Sequence, residues 1–180
     1  SMLKPEENNY LVAIHQAGLD ISIGWLDLST GEFYLTETTM ESLPHDLTRL
    51  NAKEILITEN FGRKNMSTLT PFYHLITHIP TGEFDSTLGE NRLKKSFALG
   101  TLESLAIPSR AALGVAGALI YYTTATGAGK TPTLTRPRVL QNQSFMQIDV
   151  ATRSGLELTQ TLKGERKGSL IDVLDKTVTS

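Results

Sequence analysis

Three consecutive segments with strand-like patterns, separated by tight turns, constrain the fold of this chain more than any other feature. Residues 10–15 are almost uninterruptedly apolar, as in a strand that is buried on both faces. Residues 21–28 and residues 32–37 alternate between the two sides of a strand. Glycine and small polar residues, which favour turns, separate the three segments. The pattern predicts an antiparallel meander at the start of a sheet.

The hydrophobic period then changes from that of a strand to that of a helix. Leu43, Leu47 and Leu50 form one apolar stripe on a helix predicted at residues 39–50. Pro44 lies close enough to the start of this helix to be tolerated. The chain therefore leaves the meander through a helical connection.

Strand and helix patterns alternate after this helix. A buried strand is predicted at residues 54–58, a weak helix or loop at residues 60–69, and a further strand at residues 73–79. Strand–helix–strand connections of this kind are right-handed crossovers between parallel strands. The order predicts a ribonuclease-H-like α/β fold, with a five-stranded mixed sheet flanked by helices.

Two helices are predicted beyond the last of these strands. A polar loop at residues 81–88 leads to a helix at residues 90–97, whose apolar Leu93 and Phe97 lie four residues apart and can face the sheet. Residues 109–125 form the clearest helix of the chain, and we expect it to pack on the sheet. Gly114 and Gly117 lie inside it, although each glycine costs a helix about 1 kcal/mol relative to alanine. We expect close packing on the sheet to compensate for that cost.

The C-terminal part of the chain has its own junction between a strand and a helix. Phe145 begins a short apolar segment, Asp149 is a predicted helix N-cap, and a last helix is predicted at residues 169–177. The predicted division is a tag or linker at residues 1–8, a sheet domain at 9–126, a linker at 127–144, and the truncated start of a helical domain at 145–180.

Composition disfavours several classes of protein. The 180 residues carry a net charge of −2 and contain no cysteine. A disulfide framework is therefore absent, and a chain that mainly coats nucleic acid would be more basic. No apolar run reaches the ~20 residues that a membrane helix needs. We expect a cytoplasmic protein with no membrane contact.

Two motifs resemble known sites without completing them. Gly127 to Thr131 reads like the end of a phosphate-binding P-loop, but Thr124 stands where the pattern needs its first glycine. We therefore expect a loop there and no nucleotide site. His74 and His78 lie four residues apart on a predicted strand, hence about 13 Å apart at ~3.3 Å per residue, which is too far for one metal ion.

The predicted fold also raises the question of nuclease activity. Two-metal cleavage needs clustered carboxylates, and residues 10–14 of the first strand carry none. We interpret Asp27 and Glu59 as a turn residue and a strand-end residue. The mildly basic run at residues 163–167 is interpreted as a solvated linker. A degenerate nuclease remains an alternative, as does a stand-alone protein-interaction domain.

Three runs of residues resemble the MutS family of bacterial mismatch-recognition ATPases. Residues 24–33 and 51–57 are similar to the first strands and the following helix end of its connector domain. Residues 148–158 and then residues 168–177 are similar to the first helices of its core, or lever, domain. The resemblance implies that the predicted sheet domain is the ribonuclease-H-like connector, followed by the start of the core.

The resemblance also implies a role. The connector of this family is non-catalytic, relays between the mismatch-binding and ATPase domains, and is implicated in binding MutL. Mismatched DNA, MutL and other MutS domains would be partners through a full-length homodimer that uses ATP and Mg²⁺. These 180 residues alone would form a monomer without a cofactor. The predicted helix at 90–97 supplies the candidate docking surface, which consists of Asn91, Arg92, Lys94 and Lys95.

Overall fold

A six-stranded mixed sheet forms the centre of the molecule. The computed structural model describes residues 9–126 and 133–141. Strand order across the sheet is β5-β4-β1-β2-β3-β6. The strands are β1 (Tyr10–Ala17), β2 (Asp20–Asp27), β3 (Phe33–Thr38), β4 (Glu54–Ile57), β5 (Ile76–His78) and β6 (Arg138–Leu140). Helices flank this sheet, so the predicted ribonuclease-H-like α/β class is confirmed.

The meander of β1, β2 and β3 is confirmed. β1 pairs antiparallel with β2, which pairs antiparallel with β3. β4 is parallel to β1, and β5 is parallel to β4, as the crossover rule requires. Because these three strands run in one direction, their carboxyl ends meet at one edge of the sheet.

Two features of the sheet differ from the prediction. The sixth strand, β6, lies within residues 127–144, which were predicted to be a linker, and it pairs in parallel with β3. Its Leu140 carbonyl accepts a 2.7 Å hydrogen bond from Thr36 Oγ1. A strand of three residues is too short to show a period. The strand predicted at residues 73–79 is also shorter, because Thr70–Leu75 form a 3₁₀ helix that places His74 outside β5.

Helix α1 (Leu43–Leu50) buries the predicted stripe of Leu43, Leu47 and Leu50. It begins later than predicted, with Pro44 in its first turn. Thr39 instead closes the preceding turn, where its Oγ1 accepts a 3.1 Å hydrogen bond from the backbone N–H of Ser42. The weak helix or loop of residues 60–69 is helical, as α2 (Glu59–Lys64) and α3 (Met66–Leu69).

Helices α4 (Ser86–Phe97) and α5 (Arg110–Ala125) pack together on one side of the sheet. Asp85 caps α4 by accepting a 2.9 Å hydrogen bond from the Leu88 backbone N–H, so α4 begins inside the predicted loop of residues 81–88. The rest of that loop contains a 3₁₀ helix, Thr81–Phe84. The predicted packing of α5 on the sheet is confirmed by its contacts with β1, β2 and β3.

Close backbone contacts explain the glycines of α4 and α5. A Cβ atom at Gly89 would lie closer than 3.0 Å to the Leu113 carbonyl oxygen, and one at Gly117 would lie 2.6 Å from the Gly89 Cα. A Cβ at Gly114 would meet the carbonyl oxygen of Phe84. Gly114 and Gly117 therefore permit contact with α4 and the turn before it, whereas the prediction had assigned them to the sheet.

Several predictions fall on residues that lie outside the described ranges. They are the loop at Gly127 to Thr131, the junction that begins at Phe145, the basic run at 163–167 and the last helix at 169–177. Among residues 9–126 and 133–141, no helix is both long enough and apolar enough to cross a membrane.

Candidate partner-binding surface on helix α4

The inward face of α4 agrees with the sequence pattern. Leu93 is fully buried in the core cluster that joins the sheet to α5. The Phe97 ring lies 6.5 Å from the ring of Phe33 on β3. The prediction that Leu93 and Phe97, four residues apart, face the core is therefore confirmed.

The prediction that Arg92 points outward is wrong. Its side chain is only 22% exposed, and its Nη2 atom lies 2.5 Å from Glu83 Oε1. Its Nη1 donates a 3.2 Å hydrogen bond to the carbonyl oxygen of Gly117, and its guanidinium lies 5.1 Å from the ring centre of Tyr121. Arg92 therefore links α4 to α5 and to the 3₁₀ turn before α4.

Geometry explains why the pattern of charges misled the prediction. Arg92 lies three residues after Gly89, so the two share a helix face. That face lies against the backbone of α5 because Gly89 has no side chain. A long side chain there reaches the carbonyl oxygen of Gly117 and the carboxylate of Glu83. An arginine aligned with a helix glycine, near an acidic turn, is the signal that a sequence reading could have used.

The other three predicted residues lie on the outer side of α4. Asn91 and Lys95 are exposed. Lys94 is partly exposed and pairs with Glu90 at 3.0 Å, one helical turn earlier. Sequence reasoning missed Leu88, which is 36% exposed and lies in the first turn of α4. An aspartate three residues before Leu88 was the available signal for this earlier helix start.

We call Leu88, Asn91, Lys94 and Lys95 the α4 surface. It offers one apolar contact, one side-chain amide and two ammonium groups, on a helix whose other face is fixed to α5. These groups suit hydrogen bonds and charge contacts with an acidic polypeptide. None of the four side chains is a nucleophile or a general acid or base suited to neutral pH. The chemistry of these side chains therefore suits binding rather than catalysis.

The two carboxylates considered for nuclease chemistry lie at opposite edges of the sheet. Asp27 pairs with Tyr10 at the start of β1 and accepts a 2.8 Å hydrogen bond from the Ser29 backbone N–H. Glu59 follows the carboxyl end of β4 and pairs with Arg63 at 3.5 Å. Within the described part of the chain, no group of three or more His, Asp or Glu side chains lies close enough to hold a metal ion.

Comparison with known proteins gives a consistent result. A family model described as MutS domain II matches residues 9–135. A DNA mismatch repair protein MutS from Nitrobacter winogradskyi is 37% identical over 100% of this chain and 21% of its own length. Proteins of the same name from Rhodopseudomonas palustris (strain BisB18) and Wolbachia pipientis wMel are 39% and 37% identical, again over 100% of this chain and 21% of their own lengths. The chain thus spans about a fifth of the length of these curated relatives.

Proposed function

This chain belongs to the MutS domain II family, and from that premise we propose that it is a non-catalytic connector of a DNA mismatch repair protein. In this proposal it relays conformational change between the mismatch-binding and ATPase domains of a full-length homodimer. Mismatched DNA, ATP and Mg²⁺ would be bound elsewhere in that protein. MutL would dock on the α4 surface.

One observation carries the docking proposal. The inner face of α4 is needed to hold the fold together, whereas its outer face is not. Gly89 and Arg92 fix the inner face to α5 through backbone contact and hydrogen bonds. The side chains of Asn91 and Lys95 make no hydrogen bond or ion pair with other described residues. Exposed charges contribute little to folding. A partner could therefore engage these groups without competing with the contacts that hold the domain together.

Rigid attachment of α4 supports the relay. α5 contacts β1, β2 and β3 of the sheet and also contacts α4. Because the α4–α5 contact is between backbones at Gly89 and Gly117, side-chain rotation cannot absorb a displacement of α4. A force applied at the α4 surface would therefore move α5 and the sheet as well.

The docking proposal is tested by titrating MutL against the wild-type chain and a variant with Lys94→Glu and Lys95→Glu. Charge reversal should weaken binding mainly through a slower association rate, with a larger effect at low salt than at high salt. Lys53→Glu is the matched control, because Lys53 is exposed in the turn between α1 and β4. Circular dichroism and thermal unfolding would establish that all three chains are folded.

Equal MutL affinities for the wild-type and double-variant chains at both salt concentrations would place the docking face elsewhere. An equal loss in the Lys53→Glu control would indicate a general charge effect and would also contradict the proposal. Lys95→Glu alone separates the surface charge from the Lys94–Glu90 pair, whose contribution on an exposed helix is about 0.3–0.5 kcal/mol.

We also propose that these residues neither hydrolyse ATP nor select mismatched DNA. Thr124, at the position of the missing P-loop glycine, lies within α5 and donates a 3.0 Å hydrogen bond to the Ile120 carbonyl. A helix therefore precedes residues 127–131, whereas a P-loop follows a strand. Measurable ATP turnover that disappears in a Lys130→Ala variant would contradict this proposal.

A further inference from the structure

A histidine of the sheet lies beneath the turn that leads into α4. His15 stands near the end of β1, and its imidazole ring is stacked on the ring of Phe84. The two ring centres are 4.7 Å apart, and the ring planes differ by 19°. Phe84 is the last residue of the 3₁₀ helix Thr81–Phe84 and is 2% exposed. The stack therefore joins β1 to the turn before α4.

Helix α5 borders both members of this stack. A Cβ atom at Gly114 would meet the carbonyl oxygen of Phe84, and it would lie 3.4 Å from Cδ2 of His15. On another side, a cleft of about 280 Å³ brings solvent up to His15. His15 is therefore held between α5 and the turn, at the boundary between the core and water.

The inner nitrogen of this imidazole has no partner. The Nδ1 atom of His15 is buried without a hydrogen bond to any described residue. Ser22 lies opposite His15 on β2, but its hydroxyl donates to Glu37, which also accepts a 3.0 Å hydrogen bond from Ser109. In a neutral imidazole, Nδ1 can be the nitrogen without a proton. Protonation would place a charged N–H donor there with no acceptor, which is more costly than an unpaired neutral group.

The charged groups around His15 offer no compensating ion pair. One cleft contains a carboxylate and a guanidinium beside His15, a second contains an ammonium group, and a further carboxylate is bonded to Ser22. These groups are, in turn, Asp85, Arg110, Lys64 and Glu37. Glu83 in the turn is paired with Arg92 instead. Burial lowers the pKa of His15 from its ordinary value of 6.5, so its imidazole is neutral at pH 7.

We propose that His15 and Phe84 form a pH-sensitive latch, which holds the turn before α4 on the sheet while the imidazole is neutral and releases it when the imidazole is protonated. Release would expose the protonated Nδ1 to water, which supplies the acceptor that the closed latch lacks. The rest of α4 is held separately, by backbone contact at Gly89 and by the hydrogen bonds of Arg92. The opening should therefore stay local to the turn and to the first residues of α4.

The sign of the pH dependence follows from the lowered pKa of His15. The closed latch binds fewer protons than the open one, so closure is most favourable above pH 6.5 and weakens as the pH falls below 6.5 towards the lowered value. Within this window, the ratio of open to closed latch should rise by about tenfold for each pH unit.

The latch is tested by NMR of the wild-type chain, in which the titration of the His15 imidazole is compared with solvent exchange of two backbone amides. The reporters are Asp85, whose N–H donates to the Gly82 carbonyl, and Leu88, whose N–H donates to the Asp85 carboxylate. Their protection, corrected for the intrinsic effect of pH, should fall by roughly tenfold per pH unit as His15 is protonated. Low concentrations of urea should hardly change this exchange, because a local opening exposes little surface.

Two variants separate His15 from other titrating groups. His15→Phe keeps an aromatic ring for the contact with Phe84 and should remove the pH dependence at Asp85 and Leu88. His74→Gln is the matched control, because His74 is exposed in the 3₁₀ helix before β5, and it should behave as the wild type.

Three outcomes would overturn the proposal. The first is titration of His15 without any change in exchange at Asp85 and Leu88. The second is an equal fall in protection in the His15→Phe variant, which would assign the effect to another group. The third is a urea dependence as steep as that of Ile23 in the centre of β2, which would mean that His15 is protonated only when the whole domain unfolds.

Discussion

Replacing Gly89 by alanine should destabilise the domain, although alanine is the better helix former. The added methyl group would lie closer than 3.0 Å to the Leu113 carbonyl oxygen. Carbon and oxygen atoms in contact are normally about 3.3–3.6 Å apart, so α4 would have to move away from α5 by roughly an ångström. No rotamer change can relieve a clash between backbone atoms and a Cβ.

The net cost follows from two opposing contributions. Overpacking a well-packed contact costs about 1–3 kcal/mol, and a backbone contact belongs in the upper half of that range. Replacing glycine by alanine inside a helix recovers about 1 kcal/mol. We therefore expect Gly89→Ala to lower the free energy of unfolding by about 1–2 kcal/mol. The same displacement would also shift Arg92 away from the Gly117 carbonyl that it contacts.

Urea denaturation of the purified chain measures this quantity, provided that the slope of the transition is unchanged. Gly82→Ala is the matched control, because a Cβ there has no atom within 4 Å. That variant should be neutral or more stable by up to about 1 kcal/mol through the unfolded chain. Gly117→Ala should also be destabilising, since its Cβ would lie 2.6 Å from the Gly89 Cα.

The double variant provides a sharper test. Once α4 has moved to accommodate the first methyl group, the second should cost less, so the two costs should be less than additive. If Gly89→Ala proved as stable as Gly82→Ala, the close α4–α5 contact would be refuted. The relay proposal would then lose its rigid connection.

Three further predictions concern polar groups, each checked by unfolding measurements. Arg92→Lys should lower the free energy of unfolding by about 1–2 kcal/mol, because lysine cannot reproduce the planar contacts of a guanidinium. Lys95→Gln should change it by no more than about 0.5 kcal/mol. Equal effects of the two substitutions would contradict the inward placement of Arg92. The hydrogen bond to Glu54 and, to a smaller extent, burial raise the pKa of Tyr122 from 10.0 to about 12. The contribution of the Tyr122 hydroxyl to folding stability should therefore be complete below pH 10 and lost between pH 10 and 12. The difference in unfolding free energy between the wild type and Tyr122→Phe should shrink over that window. Burial raises the pKa of Asp46 above 3.8, against the opposing hydrogen bond from Thr38, so the ionised carboxylate is unfavourable in the folded state. Asp46→Asn should therefore stabilise the domain more at pH 7 than at pH 3.5. A larger stabilisation at the lower pH would contradict this.

The strands that could be predicted from the sequence are those in which burial determines the residue type over many consecutive positions. β2 and β3 are buried along almost their whole lengths of eight and six residues, so residues typical of strands recur over stretches long enough to be recognised. β6 has three residues, and its position depends on the Thr36 hydrogen bond to Leu140, more than 100 residues away in the chain. No local pattern records a pairing of that kind.

Side-chain direction on α4 could be predicted only where apolar residues determine it. Leu93 and Phe97 were placed correctly because their spacing defines a buried face. Arg92 was misplaced because charge was taken as a sign of exposure, whereas a long cationic side chain can lie along a helix contact and bond a backbone carbonyl. The position of that carbonyl at Gly117 is a property of the tertiary contact, which the local sequence does not specify.

Gly89 and Gly117 explain both why Arg92 was misplaced and how α4 could transmit a force in the proposed relay. A glycine inside a helix weakens it locally, so Gly89 and Gly117 are unfavourable on propensity alone. Their benefit arises only when α4 and α5 meet, since they allow the two backbones to touch and bring Arg92 within reach of a carbonyl. A contact of this kind resists sliding, because any shift brings atoms of one backbone against the other. The α4 surface is consequently a rigid extension of the sheet, and a partner bound there would act on the whole domain as one body.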